Sequence, residues 1–246
     1  MDFSNFFHES FYRPIFNVLM AFYVFSPIKD FGLAIIALTV LTRLLFYPLS
    51  KQAAYSQRLM AKIQPQLKEI QERYKNNKEE QTKAMMSFYK DKKINPLSGC
   101  VPILIQLPVL FALFAVFQNG LNPEALKDLY SYIPNPGTIN VKAFGFIDLA
   151  QKTPIIMALM AGGAQYLQSV IMLSVMPKKD KSESGGKMDM NQMLAFQTKY
   201  FFPVFTTILA INFPAGLGLY LLATTLVSII QQVFINRSLA KDPALA

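Results

Sequence analysis

Residues 32–48 read GLAIIALTVLTRLLFYP, an apolar run interrupted by a single charge at Arg43. A guanidinium near the middle of a bilayer costs about 2.5–3.5 kcal/mol on insertion scales, so it is seldom found there without a polar partner, a water-filled cavity or a functional role. The long side chain could instead snorkel to the nearer headgroups, because Lys51 follows about 12 Å further along a helix. The run therefore predicts a membrane span and leaves two interpretations of Arg43 open, snorkelling and a polar cavity.

The composition of the whole chain agrees with a membrane protein. Of its residues 52% are hydrophobic and 16% are charged, whereas soluble domains have about 25% charged residues. The net charge of +9 suggests charge asymmetry across a bilayer rather than nucleic-acid binding. Cys100 is the only cysteine, which excludes an intrachain disulfide and a cysteine zinc cluster. We therefore expect no metal and no cofactor.

Five segments have the length and apolar character of membrane-spanning helices. The last two are separated at Pro214 and Gly216, since a single helix over 193–236 would be about 66 Å long. The sequence thus predicts an all-α membrane protein with a five-helix transmembrane core. The predicted spans are residues 30–50, 97–118, 154–176, 193–213 and 216–236.

Residues 1–29 are apolar and aromatic but carry His8, Glu9 and Arg13 at scattered positions. This pattern predicts an amphipathic helix lying in the membrane interface, with His8 facing the headgroups. A full span at 15–26 is the alternative. The first residues, MDFSNFFHESF, lack the features of a cleavable signal peptide, so none is expected.

The distribution of Lys and Arg predicts the orientation. Residues 51–96 hold eleven of them and 178–199 hold five, whereas 119–153 has three, offset by acidic residues. The positive-inside rule places 51–96, the loop 177–192 and the tail 237–246 in the cytoplasm. The loop 119–153 and the N-terminus are then outside.

The basic segment 51–96 also carries apolar residues at helical spacing, which predicts a helical hairpin with a turn at Asn76-Asn77. Pro65 is expected to kink or begin its first helix. The hairpin is either a solvated structural element or a docking arm for a partner or client. Residues 177–189 read as a flexible linker. The stripe residues are Leu59, Ile63, Leu67, Ile70 and Tyr74 on the first helix, and Ala84, Met85, Phe88 and Tyr89 on the second.

Polar residues occur near the midpoints of several spans, namely Gln106, Gln165 and Thr225, and Thr39 lies one turn before Arg43. Such residues often only hydrogen-bond between helices. Their similar depth favours a shared polar pocket, and the lack of a deep acidic residue favours a water-filled groove around Arg43. The pattern argues against a proton pump or cation channel. No nucleotide-binding loop and no nucleophile with a base is present, so we expect no enzyme activity.

Four strings, in this order, resemble the YidC/Oxa/Alb family of membrane protein insertases. They are GLAIIALTVLTRLLFYPLSKQ (32–52), IQPQLKEIQERYK (63–75), INPLSGCVPILIQLPVLFALF (94–114) and FPAGLGLYLLATTLVSIIQQ (213–232). The resemblance implies five helices around a hydrophilic groove that opens to the cytoplasm and into lipid. It also implies a multi-pass protein of the bacterial plasma (inner) membrane, in a minimal form without the long periplasmic domain of some members.

The resemblance further implies residue roles. Arg43, Thr39, Gln106 and Gln165 correspond to groove positions, Tyr220 and Thr225 are further groove candidates, and the hairpin 51–96 would receive clients. Two positions depart from the family pattern: Leu221 replaces a common aromatic residue, and Thr225 replaces a common asparagine. The short tail argues against strong ribosome binding.

The expected function is therefore a membrane protein insertase and folding chaperone that passes short polar client segments through the groove and releases their helices into lipid. The partners would be nascent membrane proteins and lipids, with the Sec translocon and the ribosome as further candidates and no specific nucleic acid. A small-solute or lipid transporter with an arginine anion site is one alternative, although no internal repeat is visible. A non-catalytic assembly scaffold is another.

Overall fold

The computed structural model describes residues 3–92, 101–119, 125–174, 193 and 195–242. The predicted linker 177–189, Cys100 and the end of the predicted hairpin at 93–96 lie outside these ranges. The described chain is mostly helical, with one short antiparallel ribbon.

The N-terminal region is one helical rod made of α1 (Phe3–Phe7), a π-helical turn (His8–Tyr12) and α2 (Arg13–Phe25). Phe16, Leu19 and Met20 are fully buried on one face of α2. Beside them, the Asn17 side chain donates to the Asp128 carbonyl at 2.9 Å and accepts from the Tyr130 N–H at 2.7 Å. These contacts fix α2 against the segment that follows α6. An interfacial position for this rod stays a prediction.

Helix α3 (Phe31–Leu45) begins at a capping residue, because Asp30 Oδ1 accepts from the Leu33 N–H at 3.0 Å. It ends at Leu45, and α4 (Tyr47–Arg73) leaves it at an angle of 59°. Pro48 stands in the first turn of α4, where its missing N–H prevents a continuous helix through this point. The first predicted span, 30–50, is therefore broken at Phe46.

Helices α4 and α5 (Lys78–Asp91) pack on each other as a hairpin, and Asn77 caps α5 by accepting from the Glu80 N–H at 3.3 Å. The expectation that a helix begins at Pro65 is wrong, since Pro65 lies inside α4. An interior proline costs about 3 kcal/mol, and the burial of Ile63 and Leu67 on either side of Pro65 stabilises the helix against this cost. A kink at Pro65 stays a prediction.

Further described elements follow α5 along the chain. They are α6 (Val101–Asn119), a 3₁₀ turn (Ala125–Asp128), β1 (Lys142–Ala143), β2 (Ile147–Asp148), α7 (Ile155–Leu173), a π-helical turn (Gln197–Phe201), α8 (Phe202–Asn212) and α9 (Ala215–Leu239). The strands pair with Lys142 opposite Asp148.

Within the described ranges, α7 and α9 are long and apolar enough to cross a membrane, and the bent pair of α3 and α4 would make a third span. The apolar part of α6, Gln106–Gln118, and the 11-residue α8 are shorter. The apolar run 193–236 is divided, because α8 ends at Asn212 and α9 begins at Ala215.

Small residues let α9 pack closely against its neighbours. A Cβ at Gly216 would overlap the ring of Phe117 on α6, and one at Gly218 would lie 2.6 Å from the Thr153 side chain. The main core contains buried side chains of α2, α3, α6 and α9, including Phe16, Phe31 and Leu217. This packing fixes the rotation of α9, and with it the direction in which the polar side chains of α9 point.

Candidate functional site

Arg43 lies where α3, α6 and α9 meet, and neutral oxygen atoms hold its guanidinium. Its Nε and Nη2 donate to Thr224 Oγ1 at 3.1 and 2.9 Å, and Nη2 also donates to Gln106 Oε1 at 3.3 Å. No ion pair links Arg43 to any carboxylate in the part of the chain that the structure describes. Nη1 makes no hydrogen bond there, so its two N–H groups remain available.

A fourth hydrogen bond extends this network. Gln106 Nε2 donates to the Tyr220 hydroxyl oxygen at 2.6 Å, and Tyr220 is only 1% exposed. Tyr220 and Thr224 are four residues apart on α9 and therefore share a face. Three helices are thus joined through one arginine and one glutamine.

Two cavities flank Arg43. The larger has a volume of about 230 Å³ and lies between α3, α4, α7, α9 and the turn before α8. The smaller, of about 20 Å³, includes Thr42, Gln106 and Tyr220 in its wall. The larger is lined by Arg43, Ser50, Ala53, Ala54, Gln57, Gln165, Gln168, Met172, Thr198, Phe202, Ser228, Gln231, Gln232 and Ile235.

The bend at Phe46 brings α4 to the larger cavity. Ala54 packs against Ile235 and Leu239 at the C-terminal end of α9. Arg58 Nη2 donates to the Asn236 carbonyl at 3.0 Å and to its side-chain oxygen at 3.3 Å. The base of the hairpin is therefore attached to the end of α9.

Four of the predicted groove residues line these cavities: Arg43, Gln106, Gln165 and Tyr220. Thr39 does not, because it is fully buried and its hydroxyl donates to the Ile35 carbonyl at 2.7 Å. Thr225 also lies outside both walls.

Thr225 is nevertheless connected to the larger cavity. Its hydroxyl donates to the Leu221 carbonyl at 2.7 Å and approaches Gln165 Oε1 at 3.4 Å. A threonine hydroxyl commonly turns back onto its own helix in this way. Thr225 therefore orients a cavity residue without lining the cavity.

The hairpin residues lie apart from the cavities and pack on one another. Ile63 and Leu67 are buried, and Leu59, Met85 and Phe88 pack against them. Burial also raises the pKa of the neighbouring Tyr89 hydroxyl. Ile70 and Tyr74 are half-buried near the turn, where the Tyr74 N–H donates to the Ile70 carbonyl. These side chains hold the hairpin together, and a role for it in receiving clients stays a prediction.

Sequence reasoning missed several polar residues of the site. Thr224 is the partner of Arg43, whereas its neighbour Thr225 was the residue predicted. A stripe of polar residues on α9 could have revealed Thr224. The stripe has helical spacings of four, four and three, and consists of Tyr220, Thr224, Ser228 and Gln231. Gln57 and Gln168 reach the cavity only through the packing of α4 and α7.

Comparisons with known proteins agree with this architecture. Residues 22–242 match the family model described as 60Kd inner membrane protein. A protein of Geobacter metallireducens named membrane protein insertase YidC is 32% identical over 94% of this chain, which spans 38% of that relative. A protein of the same name from Fusobacterium nucleatum is 31% identical over 91% of this chain and 97% of its own length.

A solved structure is also similar, the one described as the active YidC insertase with its first transmembrane domain resolved. The TM-score is 0.56 at 25% sequence identity, over 89% of this chain and 45% of that one. The relatives and the apolar helices together indicate a multi-pass protein of the inner membrane. The chain therefore belongs to the 60Kd inner membrane protein family, and it is similar over most of its length to proteins named membrane protein insertase YidC.

Proposed function

We propose that this protein is a membrane protein insertase and folding chaperone. It would carry short polar segments of client proteins part-way into the bilayer through the larger cavity and release their apolar helices into lipid. The observation that carries the proposal is the setting of Arg43: its guanidinium has no carboxylate partner among the described residues and is held by Thr224 and Gln106 beside a cavity rich in amides.

The physical advantage lies in the distance that a polar segment must cross. About 30 Å of hydrocarbon opposes its transfer, because each unpaired polar group costs free energy there. A cavity that supplies hydrogen-bond partners shortens this distance. The free N–H groups of Arg43 would attract carboxylates on the segment, since charge-assisted hydrogen bonds are stronger than neutral ones.

The apolar part of the client would leave sideways along α6 and α9. Phe111 on α6 and Leu226, Ile230 and Phe234 on α9 are exposed apolar side chains. Contact with such surfaces lets a client helix remain out of water while it moves into lipid. No cofactor and no covalent step is needed.

The topology in the membrane is part of the proposal. The five predicted spans would correspond to α3, α6, α7, α8 and α9. The basic hairpin supports a cytoplasmic position for residues 51–96, and the N-terminus would then lie outside and the C-terminus in the cytoplasm. The hairpin would receive clients, with the Sec translocon and the ribosome as candidate partners. The relatives do not favour a transporter or a scaffold.

The test uses the purified protein in lipid vesicles and a single-span client with a short acidic translocated segment. Protease protection of that segment measures insertion. Wild-type protein should raise protection well above that of empty vesicles, and Arg43→Ala should remove most of the gain. Arg237→Ala, which removes an exposed charge near the end of α9, is the matched control and should insert normally. Equal protection in empty and wild-type vesicles would exclude insertase activity.

A further inference from the structure

The wall of the larger cavity is rich in one type of side chain. Among the described residues that line it are five glutamines from three different helices, and Arg43 is the only charged one of these described lining residues. A glutamine amide both donates and accepts hydrogen bonds, whereas an arginine only donates. The five are Gln57 on α4, Gln165 and Gln168 on α7, and Gln231 and Gln232 on α9; we call them the glutamine wall.

Much of the hydrogen-bonding capacity of the glutamine wall is unused within the part of the chain that the structure describes. Gln231 Nε2 donates to the Arg43 carbonyl at 3.3 Å, and Gln232 Nε2 donates to Asn236 Oδ1 at 3.0 Å, which leaves both side-chain oxygens available. Gln165 Oε1 lies 3.4 Å from the Thr225 hydroxyl, whose single hydrogen is donated to the Leu221 carbonyl, and its N–H groups make no hydrogen bond within the described ranges. Gln57 and Gln168 make no side-chain hydrogen bond within the described ranges.

Ser228 provides a second, independent observation. It is 5% exposed, it lines the same cavity, and its hydroxyl oxygen has no hydrogen-bond partner in the described part of the chain. Serines inside helices usually donate to the carbonyl four residues earlier. A buried hydroxyl without that bond favours a polar group that enters the cavity.

We propose that the glutamine wall and Ser228 bind the peptide backbone of the client's polar segment. An extended backbone presents one N–H and one C=O per residue, whatever its side chains are, and both must be paired when water is removed. Amides can pair with both groups, which a guanidinium cannot do. This inference rests on the proposed insertase function and divides the site: Arg43 responds to client charge, and the glutamine wall serves clients of any sequence.

The test combines two changes in the protein with three clients. The double variant Gln57→Leu/Gln168→Leu removes the two glutamines whose side chains have no hydrogen-bond partner among the described residues, and Gln118→Leu, at an exposed position on α6, is the control. The clients carry an acidic segment, a neutral Ser/Gly segment, or the neutral segment with ester bonds in place of successive peptide bonds. The ester client keeps its side chains and loses its N–H donors.

The double variant should insert the acidic and neutral clients about tenfold more slowly than wild type, the effect of one or two lost hydrogen bonds. Arg43→Ala should slow only the acidic client. With wild type, the ester client should be inserted more slowly than the neutral client. The double variant should insert the ester client at the same rate as wild type does, because the ester bonds and the glutamine substitutions remove the two partners of the same hydrogen bonds. A photo-crosslinking residue at position 168 should capture the acidic and neutral segments equally, which reports contact even if the double variant folds poorly.

Three results would overturn the inference. Normal insertion by the double variant, with an active wild type, would refute the backbone role and leave the insertase function intact. The cavity would be shown only to hold water if replacing peptide bonds by ester bonds lowered the client's insertion rate by the same factor in wild type and in the double variant. Failure of wild type to insert any client would remove the proposed function itself and this inference with it.

Discussion

Arg43 and Thr224 are joined by two hydrogen bonds, since Nε and Nη2 of the guanidinium donate to the same threonine hydroxyl oxygen at 3.1 and 2.9 Å. The pair links α3 to α9 across 181 positions of sequence. It also fixes the guanidinium so that Nη1 is not engaged in this contact. The direction of the Arg43 guanidinium, the only charged group among the described residues of the cavity wall, therefore depends on one neutral hydroxyl.

Replacing Thr224 with Val should weaken both stability and insertion. The change keeps the shape of the side chain but leaves a half-buried guanidinium without its closest partner, which costs about 1–3 kcal/mol. Thermal unfolding in detergent and the insertion assay provide the measurements. Thr225→Val is the control and should cost less, because that hydroxyl donates chiefly to its own helix. Equal losses in the two variants would contradict the assignment of Thr224.

Arg43→Lys should retain part of the insertion of acidic clients, whereas Arg43→Ala should retain little. Lysine keeps the positive charge but lacks the planar fork that contacts Thr224 and Gln106 together. Insertion rates of acidic and neutral clients, at matched protein levels, separate charge from geometry. A lysine variant as inactive as the alanine variant would show that geometry alone matters.

Water access should distinguish residues in the cavity walls from residues buried between helices. In a Cys100→Ser background, single cysteines at Gln106 and Gln165 should react with a small, membrane-impermeant thiol reagent added from the cytoplasmic side. A cysteine at Thr39 should stay protected, because that position is fully buried. Labelling followed by mass spectrometry gives the rates. Reaction from the outer side only would contradict the proposed topology.

Gly216→Ala should destabilise the protein, since the new methyl group would overlap the ring of Phe117. Overpacking of this kind costs about 1–3 kcal/mol. The melting temperature in detergent should fall, and Phe117→Leu added to Gly216→Ala should recover part of the loss. Gly163→Ala, where nothing lies within 4 Å of an added Cβ, is the matched control. No loss with Gly216→Ala would indicate a different rotation of α9.

Arg58→Ala should release the base of the hairpin from α9. The variant loses both hydrogen bonds to Asn236, while the apolar cluster inside the hairpin is unchanged. Hydrogen exchange should become faster in the first turns of α4 and remain similar near Ile63 and Leu67. Uniformly faster exchange along both helices would instead mean that Arg58 supports the whole hairpin.

The sequence by itself determined the class of the protein and the chemistry of its central charge. Apolar runs with few charges predict helices in a membrane, because only such segments satisfy their backbone groups without water. Arg43 stands in an apolar run, and no acidic residue lies deep in any span, so its partners had to be neutral. The break near Pro214 and the hairpin turn at Asn76-Asn77 also follow from local residue chemistry, and the structure has both.

Only the tertiary structure decided which polar residues meet. The sequence alone does not distinguish Thr224 from Thr225. Neighbouring residues on a helix point about 100° apart, so only one of the two can face Arg43. The packing of Gly216 against Phe117 sets the rotation of α9 and hence which one it is. The sequence places Thr39 on the same helix face as Arg43. The short Thr39 side chain nevertheless stays against its own helix and donates to the Ile35 carbonyl, whereas the longer Arg43 side chain reaches Thr224 on α9. The 59° bend at Phe46 brings Gln57 to the cavity, a contact that depends on how α4 packs on α9 and that no local pattern encodes.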